Sequence, residues 1–175
     1  MFANRVSEKQ ADAERHIVES VQTRIGLMRG VQGDALAAWG IFEGGEWTDR
    51  VILPGRKPSE REEIFYQVSP GYFATLRTPL LGGRDFSTRD SGGAQPRPAI
   101  VNHAFERRYF GGVSALGRVF ERPDEKGNVR HQIVGIAANL HYGDLRTDQI
   151  RSSISPWTVE VNFLFMCAPI LSWAR

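Results

Sequence analysis

PAIVNHAFERRYFG, residues 98–111, is the stretch on which the reading of this chain turns. Ala99–Val101 is a short apolar run of the kind that forms a buried strand. Asn102 follows at once, and its side-chain oxygen can accept a hydrogen bond from one of the unpaired N–H groups of a helix start. The helix so capped runs to Phe110, and Gly111-Gly112 supplies the left-handed residue that ends it. Strand passes into helix within a few residues, without a long regular crossover. On that pattern the chain is α+β, a mixed sheet with packed helices, and not a doubly wound parallel sheet.

Working outward, the flanking segments repeat this short-element grammar. Ile64–Val68 predicts a strand, and Ser69-Pro70 predicts a helix start, serine as N-cap and proline at the first helical position. Gly71 follows, and Tyr72, Phe73 and Leu76 give that helix an apolar face which Pro79 ends. Leu80–Gln95 is turn-rich, with Gly82-Gly83 and Gly92-Gly93 on either side of Arg84-Asp85-Phe86. Gly117–Glu121 and His131–Ile136 predict two more strands, joined by the polar turn 124–128. Earlier, Ala35–Phe42 and Asp49–Leu53 predict short strands around Gly44-Gly45, followed by a charged loop from Pro54 to Glu63. Residues 7–29 form an amphipathic pattern, with Ser7 and Gln10 as a capping box and Gly30 past the end. Ile17, Val18, Val21, Ile25 and Met28 define its apolar face, expected to pack in the core rather than on a membrane surface.

Composition bounds the function classes. The chain has 175 residues, 41% of them hydrophobic, and 24% charged. That length buries a substantial core within one domain or two small ones. No apolar run approaches a membrane span, and the N-terminal residues lack the apolar core of a signal peptide. Net charge is +2, and nearly all the basic residues are Arg, with Lys only at positions 9, 57 and 126. The arginines are dispersed among acids, which argues against nucleic-acid binding. The single Cys167 excludes an internal disulfide. The composition shifts after residue 151: from Ser152 to Arg175 only Glu160 and Arg175 are charged. That segment is expected to be an edge strand or a foreign tail, so residues 1–151 are expected to form the domain and 152–175 an atypical tail.

Catalytic patterns are sparse. His16, His103, His131 and His141 show no metal-binding spacing, and His141 with Asp144 is a base–orienter pair without an obvious nucleophile. An enzyme using His103 or His141 is therefore the remote alternative. Asp85 and Asp90 flank a segment interrupted by Phe86 and Arg89, better read as a turn with an internal Arg–Asp pair than as a calcium loop. No phosphate-binding or dinucleotide-binding glycine motif occurs. The expectation is no catalytic residue, no metal site and no cofactor.

Three segments taken in order resemble the MacB-like periplasmic core domain of ABC transporter permeases, especially orphan permeases that carry no ATPase of their own. They are VSPGYFATLRTPLLGGRDF (68–86), PAIVNHAFERRYFG (98–111) with Leu116-Gly117, and IVGI (133–136) with YGDLR (142–146). The resemblance covers roughly residues 20–148. It implies an α+β fold with a porter-like part and a smaller inserted subdomain, set between two transmembrane helices on the periplasmic side of the bacterial inner membrane. It further implies a non-catalytic role, relaying conformational change in transport or efflux. Its implied partners are the permease's own transmembrane helices, a separate cytoplasmic ATPase and a periplasmic adaptor protein. The motif residues Ser69, Pro70, Gly71, Tyr72, Phe73, Gly83, Arg84, Asn102, Gly111 and Gly117 are then structural. Arg107 and Arg108, on the polar side of their helix, are the candidates for partner contact. The segment 152–175 departs from the family pattern, and the helix expected upstream does not appear. The chain is therefore expected to be a fragment of a permease. A stand-alone periplasmic ligand- or protein-binding domain is the alternative.

Overall fold

A computed structural model describes residues 8–38, 47–91, 95–124, 127–139 and 152–156. Its strands form one mixed sheet in the order β1-β2-β7-β4-β6-β3, and β5 pairs with the start of β6 while β3 pairs with its end. They are β1 (Trp47–Arg50), β2 (Glu62–Val68), β3 (Leu80–Gly83), β4 (Arg97–Asn102), β5 (Val119–Arg122), β6 (Val129–Ala137) and β7 (Ser152–Pro156). The helices are α1 (Glu8–Gly26), α2 (Tyr72–Thr75) and α3 (His103–Phe110). This is the α+β architecture expected.

Parallel and antiparallel pairings alternate around β7. It runs parallel to β2 from Ile64↔Ser152 to Val68↔Pro156, and antiparallel to β4 at Ile100↔Ile154 and Val101↔Ser153. Beyond β1 the chain continues to Ile52, which exchanges both backbone hydrogen bonds with Glu121 of β5, at 2.9 and 2.8 Å. That bridge joins the two ends of the path β5-β6-β4-β7-β2-β1, so the strands close on themselves. Closure gives the sheet an inside and an outside, and strand alternation distributes side chains between them.

The inside holds one core cluster: Val51, Phe65, Ala99, Val101, Phe120, Ile133 and Ile136, with Phe105 of α3 packed against them. The outside holds the other, where Tyr72 and Phe73 of α2 meet Tyr66, Val68, Phe86 and Ile100. The predicted apolar face of α2 is thus correct. Its predicted cap is not: Gly71, left-handed at φ 82°, occupies the N-cap with no side-chain bond. The Ser69 hydroxyl instead accepts from the N–H of Leu36 at 2.8 Å, and Pro70 lies before the helix. A partner 33 residues upstream outcompetes the local cap, since one hydroxyl satisfies an otherwise unpaired strand-edge donor.

Other expectations are adjusted in the same way. Gly82-Gly83, read as a turn, lies in β3, paired to β6 with Gly83 opposite Gly135. Of the predicted strand 35–42, Ala37 makes a single bridge to Val68, and residues 39–46, with the Gly44-Gly45 turn, lie outside the described residues. Ser7, Gly92, Gly93, His141 and Asp144 lie outside them too. Helix α1 ends at Gly26, and its apolar face is not a core face. Val18 is buried, but Ile17, Val21 and Met28 are exposed. Ser152–Pro156 is an inner strand, not an edge strand. No helix among the described residues is long and apolar enough to cross a membrane.

Candidate functional site

Helix α3 closes one end of the strand circuit. Asn102 caps it as predicted, its side-chain oxygen accepting from Phe105 N–H at 2.8 Å, and Gly111 ends it in the left-handed conformation at φ 64°. Such a cap stabilises a helix by about 1 kcal/mol. Phe105 is fully buried and packs at a tilt against the rings of Tyr109 and Phe120. Arg107 points to solvent, whereas Arg108 does not act as a free surface cation. Its Nη1 donates to Glu63 Oε1 at 2.9 Å, and the Tyr109 hydroxyl donates to the same oxygen at 2.9 Å. Glu63 is only 1% exposed, so its carboxylate needs these donors. Burial, reinforced by the Glu63 charge, pushes the Tyr109 hydroxyl up to about 12. The two candidate arginines therefore divide: Arg107 faces outward, and Arg108 anchors α3 to β2.

The other end of the circuit is polar. Register sets Arg97 of β4 opposite His131 of β6, and His131 opposite Phe120 of β5. One residue pair deeper along the same row come Ala99 and Ile133, both buried in the core. Arg97 and His131 therefore form the last core-facing pair of the β4–β6 ladder before the open end. With Trp47, Asp49, Gln67 and Arg122 they line a groove of about 360 Å³. The Arg122 guanidinium lies 3.8 Å above the Phe65 ring centroid, a cation–π contact. Its Nε is 3.5 Å from Asp49 Oδ2, beyond a well-formed hydrogen bond. Burial pulls the Arg122 pKa down, opposed by Asp49.

His131 is 3% exposed and stacks flat on Phe120, 5.2 Å between centroids. Burial first, then the charges of Arg122 and Arg97, pushes its pKa down to about 4. Nδ1 sits 3.1 Å from the Val129 carbonyl oxygen, so the neutral ring carries its proton there and leaves Nε2 as an acceptor. A depressed histidine pKa makes the folded state bind fewer protons than the unfolded state between about pH 6.5 and 4. Stability is accordingly full above about 6.5 and falls with pH through that window, by at most about 3 kcal/mol. Denaturant midpoints between pH 7 and pH 4.5 are expected to drop in the native chain and to drop less in His131→Phe. An equal fall in both would remove His131 as the cause. The Asp90 contribution lies lower, because Arg84, bound to it through two hydrogen bonds at 2.8 and 2.9 Å, holds its pKa below the usual carboxylate value. That pair is the internal Arg–Asp pair expected of the 85–90 turn, formed by Arg84 rather than Arg89.

Nothing else gathers as a reactive cluster among the described residues. His103 stands exposed at the start of α3, and His16 is exposed on α1. No group of three metal-ligating side chains occurs among the described residues. The polar groove escaped sequence reading, although it left a trace: Arg97 and His131 sit on the apolar alternation of their own strands.

No protein-family model matches the sequence, and no curated protein does. Solved structures do. The periplasmic region of MacB from Actinobacillus actinomycetemcomitans is similar at a TM-score of 0.54 and 14% identity, over 79% of this chain and 54% of that one. The extracellular domain of the noncanonical ABC-type transporter YknZ from Gram-positive bacteria gives 0.52 and 13%, over 79% and 61%. A domain assigned to a permease protein of Porphyromonas gingivalis gives 0.50 and 18%, over 74% and 52%. The chain thus spans between about half and three-fifths of the structures it matches. At such identities likeness speaks for architecture, not activity. The chain has the fold shared by the periplasmic region of MacB and the extracellular domain of YknZ.

Proposed function

We propose that this chain is a non-catalytic extracytoplasmic domain of an ABC-type permease, relaying conformational change between membrane helices and the compartment outside the inner membrane. The observation that carries the reading is the fold itself, matched by three domains of transporter or permease proteins. On this reading the chemical work of ATP hydrolysis belongs to a separate cytoplasmic ATPase, and an adaptor protein is a partner on the far side. Transmission needs a stiff body, and a strand circuit closed by backbone hydrogen bonds and plugged by α3 provides one. Arg107 is the proposed contact residue, since Arg108 is engaged with Glu63.

The test places this domain in a full-length permease with its ATPase and replaces Arg107 with alanine. Reduced transport, with normal insertion and unchanged domain stability, supports the contact role. Unchanged transport removes Arg107 from it. Loss of coupling between ATP hydrolysis and transport when this domain is swapped for an unrelated fold supports the relay, and intact coupling overturns it. Turnover of a small substrate by the purified domain would overturn the non-catalytic reading. A second reading, a binding domain with no transport role, is favoured by the polar groove opposite α3. Full transport from a permease lacking the domain, together with ligand binding by the domain alone, would select it.

A further inference from the structure

We infer that the polar mouth of the closed sheet is a binding site for a singly charged carboxylate, held between Arg97 and Arg122. Arg97 Nε and Arg122 Nε are both shielded from solvent, and neither has a hydrogen-bond partner. Buried polar groups in folded proteins nearly always have partners, so such a pair in one groove marks a place built for an oxygen ligand. Among the described residues Arg97 makes no ion pair, and Arg122 meets Asp49 at a loose 3.5 Å and feels a weaker attraction from Asp124, neither of which supplies its Nε with an acceptor. The guanidinium fork matches a carboxylate geometrically, and two forks on one groove can share one. The groove's volume, about 360 Å³, falls at the small end of ligand-sized cavities.

Charge selects the class of anion. The ionised groups lining the groove are Arg97, Arg122, Asp49 and Asp124, which cancel formally, and His131 is neutral at pH 7. One added negative charge is accommodated by displacing Asp49 from its loose contact. A dianionic phosphate would meet two carboxylates as well as two guanidiniums. The aromatic wall of Trp47 and the Nε2 acceptor of His131 suit a ligand whose carboxylate sits beside an N–H, as at the end of a polypeptide.

The experiment titrates the full chain at pH 7.5 with acetate, N-acetylglycine and inorganic phosphate, by calorimetry and by Trp47 fluorescence, with Trp47→Phe as the optical control. Saturable binding of both carboxylates, with phosphate at least about tenfold weaker, is the expected result. Tighter N-acetylglycine than acetate identifies a polypeptide terminus as the source, and equal affinities identify a free carboxylate. Arg97→Gln should weaken binding about tenfold or more, the scale of a lost charge-assisted hydrogen bond. Asp49→Asn, which removes the competing carboxylate, should tighten it several-fold, an effect that a purely structural role would not produce. Should Arg97→Gln fail to fold, Arg97→Lys keeps the charge and loses the fork, and weakened binding in it serves the same purpose. Absence of saturable binding overturns the inference, as does phosphate binding as tightly as acetate, or binding that Arg97→Gln leaves unchanged. None of these outcomes depends on a transport role, so this site and the proposed function stand or fall separately.

Discussion

A chain ended at Arg151 is expected to lose its cooperative unfolding transition, while a chain ended at Pro156 keeps one. Strand β7 fills the gap between β2 and β4, bonded to the first along five residue pairs and to the second at two. Its neighbours are among the most buried residues present: Phe65 and Tyr66 at 1 and 4%, Val68, Ile100 and Val101 at 0%. Removing β7 would leave two facing rows of backbone donors and acceptors unpaired in the middle of the sheet. Each such group costs about 1–3 kcal/mol when buried, and several together exceed the stability of an ordinary domain. Urea unfolding followed by circular dichroism distinguishes the two truncations. Equal midpoints would mean that β7 contributes nothing, and the boundary would return to residue 151. We propose on this basis that the domain extends through residue 156, five residues past the composition shift.

Gly83→Ala is expected to destabilise the fold by about 3 kcal/mol or more, near the upper range for a single substitution. Gly83 has φ 75°, where a side chain is already strained. A Cβ there would also collide with the Val134 carbonyl oxygen and lie 2.7 Å from Leu116 Cδ2 and 2.9 Å from Gly135 Cα. Most of these obstacles are backbone, which cannot swing away. Gly111→Ala is the control, because its φ is 64° yet nothing lies within 4 Å of the added carbon. It should cost only the left-handed backbone term, about 1 kcal/mol. Denaturant midpoints give both values. Equal losses would show that conformation alone, and not the β3–β6 approach, demands glycine at position 83.

Much of this architecture is written locally and was legible. Asn102 and Gly111 bracket α3 because capping is decided within a few residues, and the apolar runs of β2, β4, β5 and β6 announce their strands. What escaped reading was decided at a distance. Ser69 looks like a cap until Leu36 arrives to claim its hydroxyl. Gly82-Gly83 looks like a turn until β6 pairs with it. The apolar stripe of α1 predicts burial by periodicity, yet periodicity says nothing of whether a partner surface exists. The polar mouth is the plainest case. Arg97 and His131 lie 34 positions apart in the sequence, and only the β4–β6 register makes them neighbours. Arg107 and Arg108 are adjacent in sequence, and the fold sends one to solvent and the other to Glu63.

The place of β7 in the circuit also sets the order in which the protein can be made. Both of its neighbours precede it in the chain, β2 by some ninety residues and β4 by some fifty. A ribosome therefore releases β2 and β4 long before the strand that separates them exists. During that interval their inner edges are open and their apolar faces uncovered, the condition under which strands join the wrong partner. Parallel pairing over such a separation is slow to form. Yield in cells should thus respond to chaperone supply and to translation speed downstream of β6, even where the finished domain is stable.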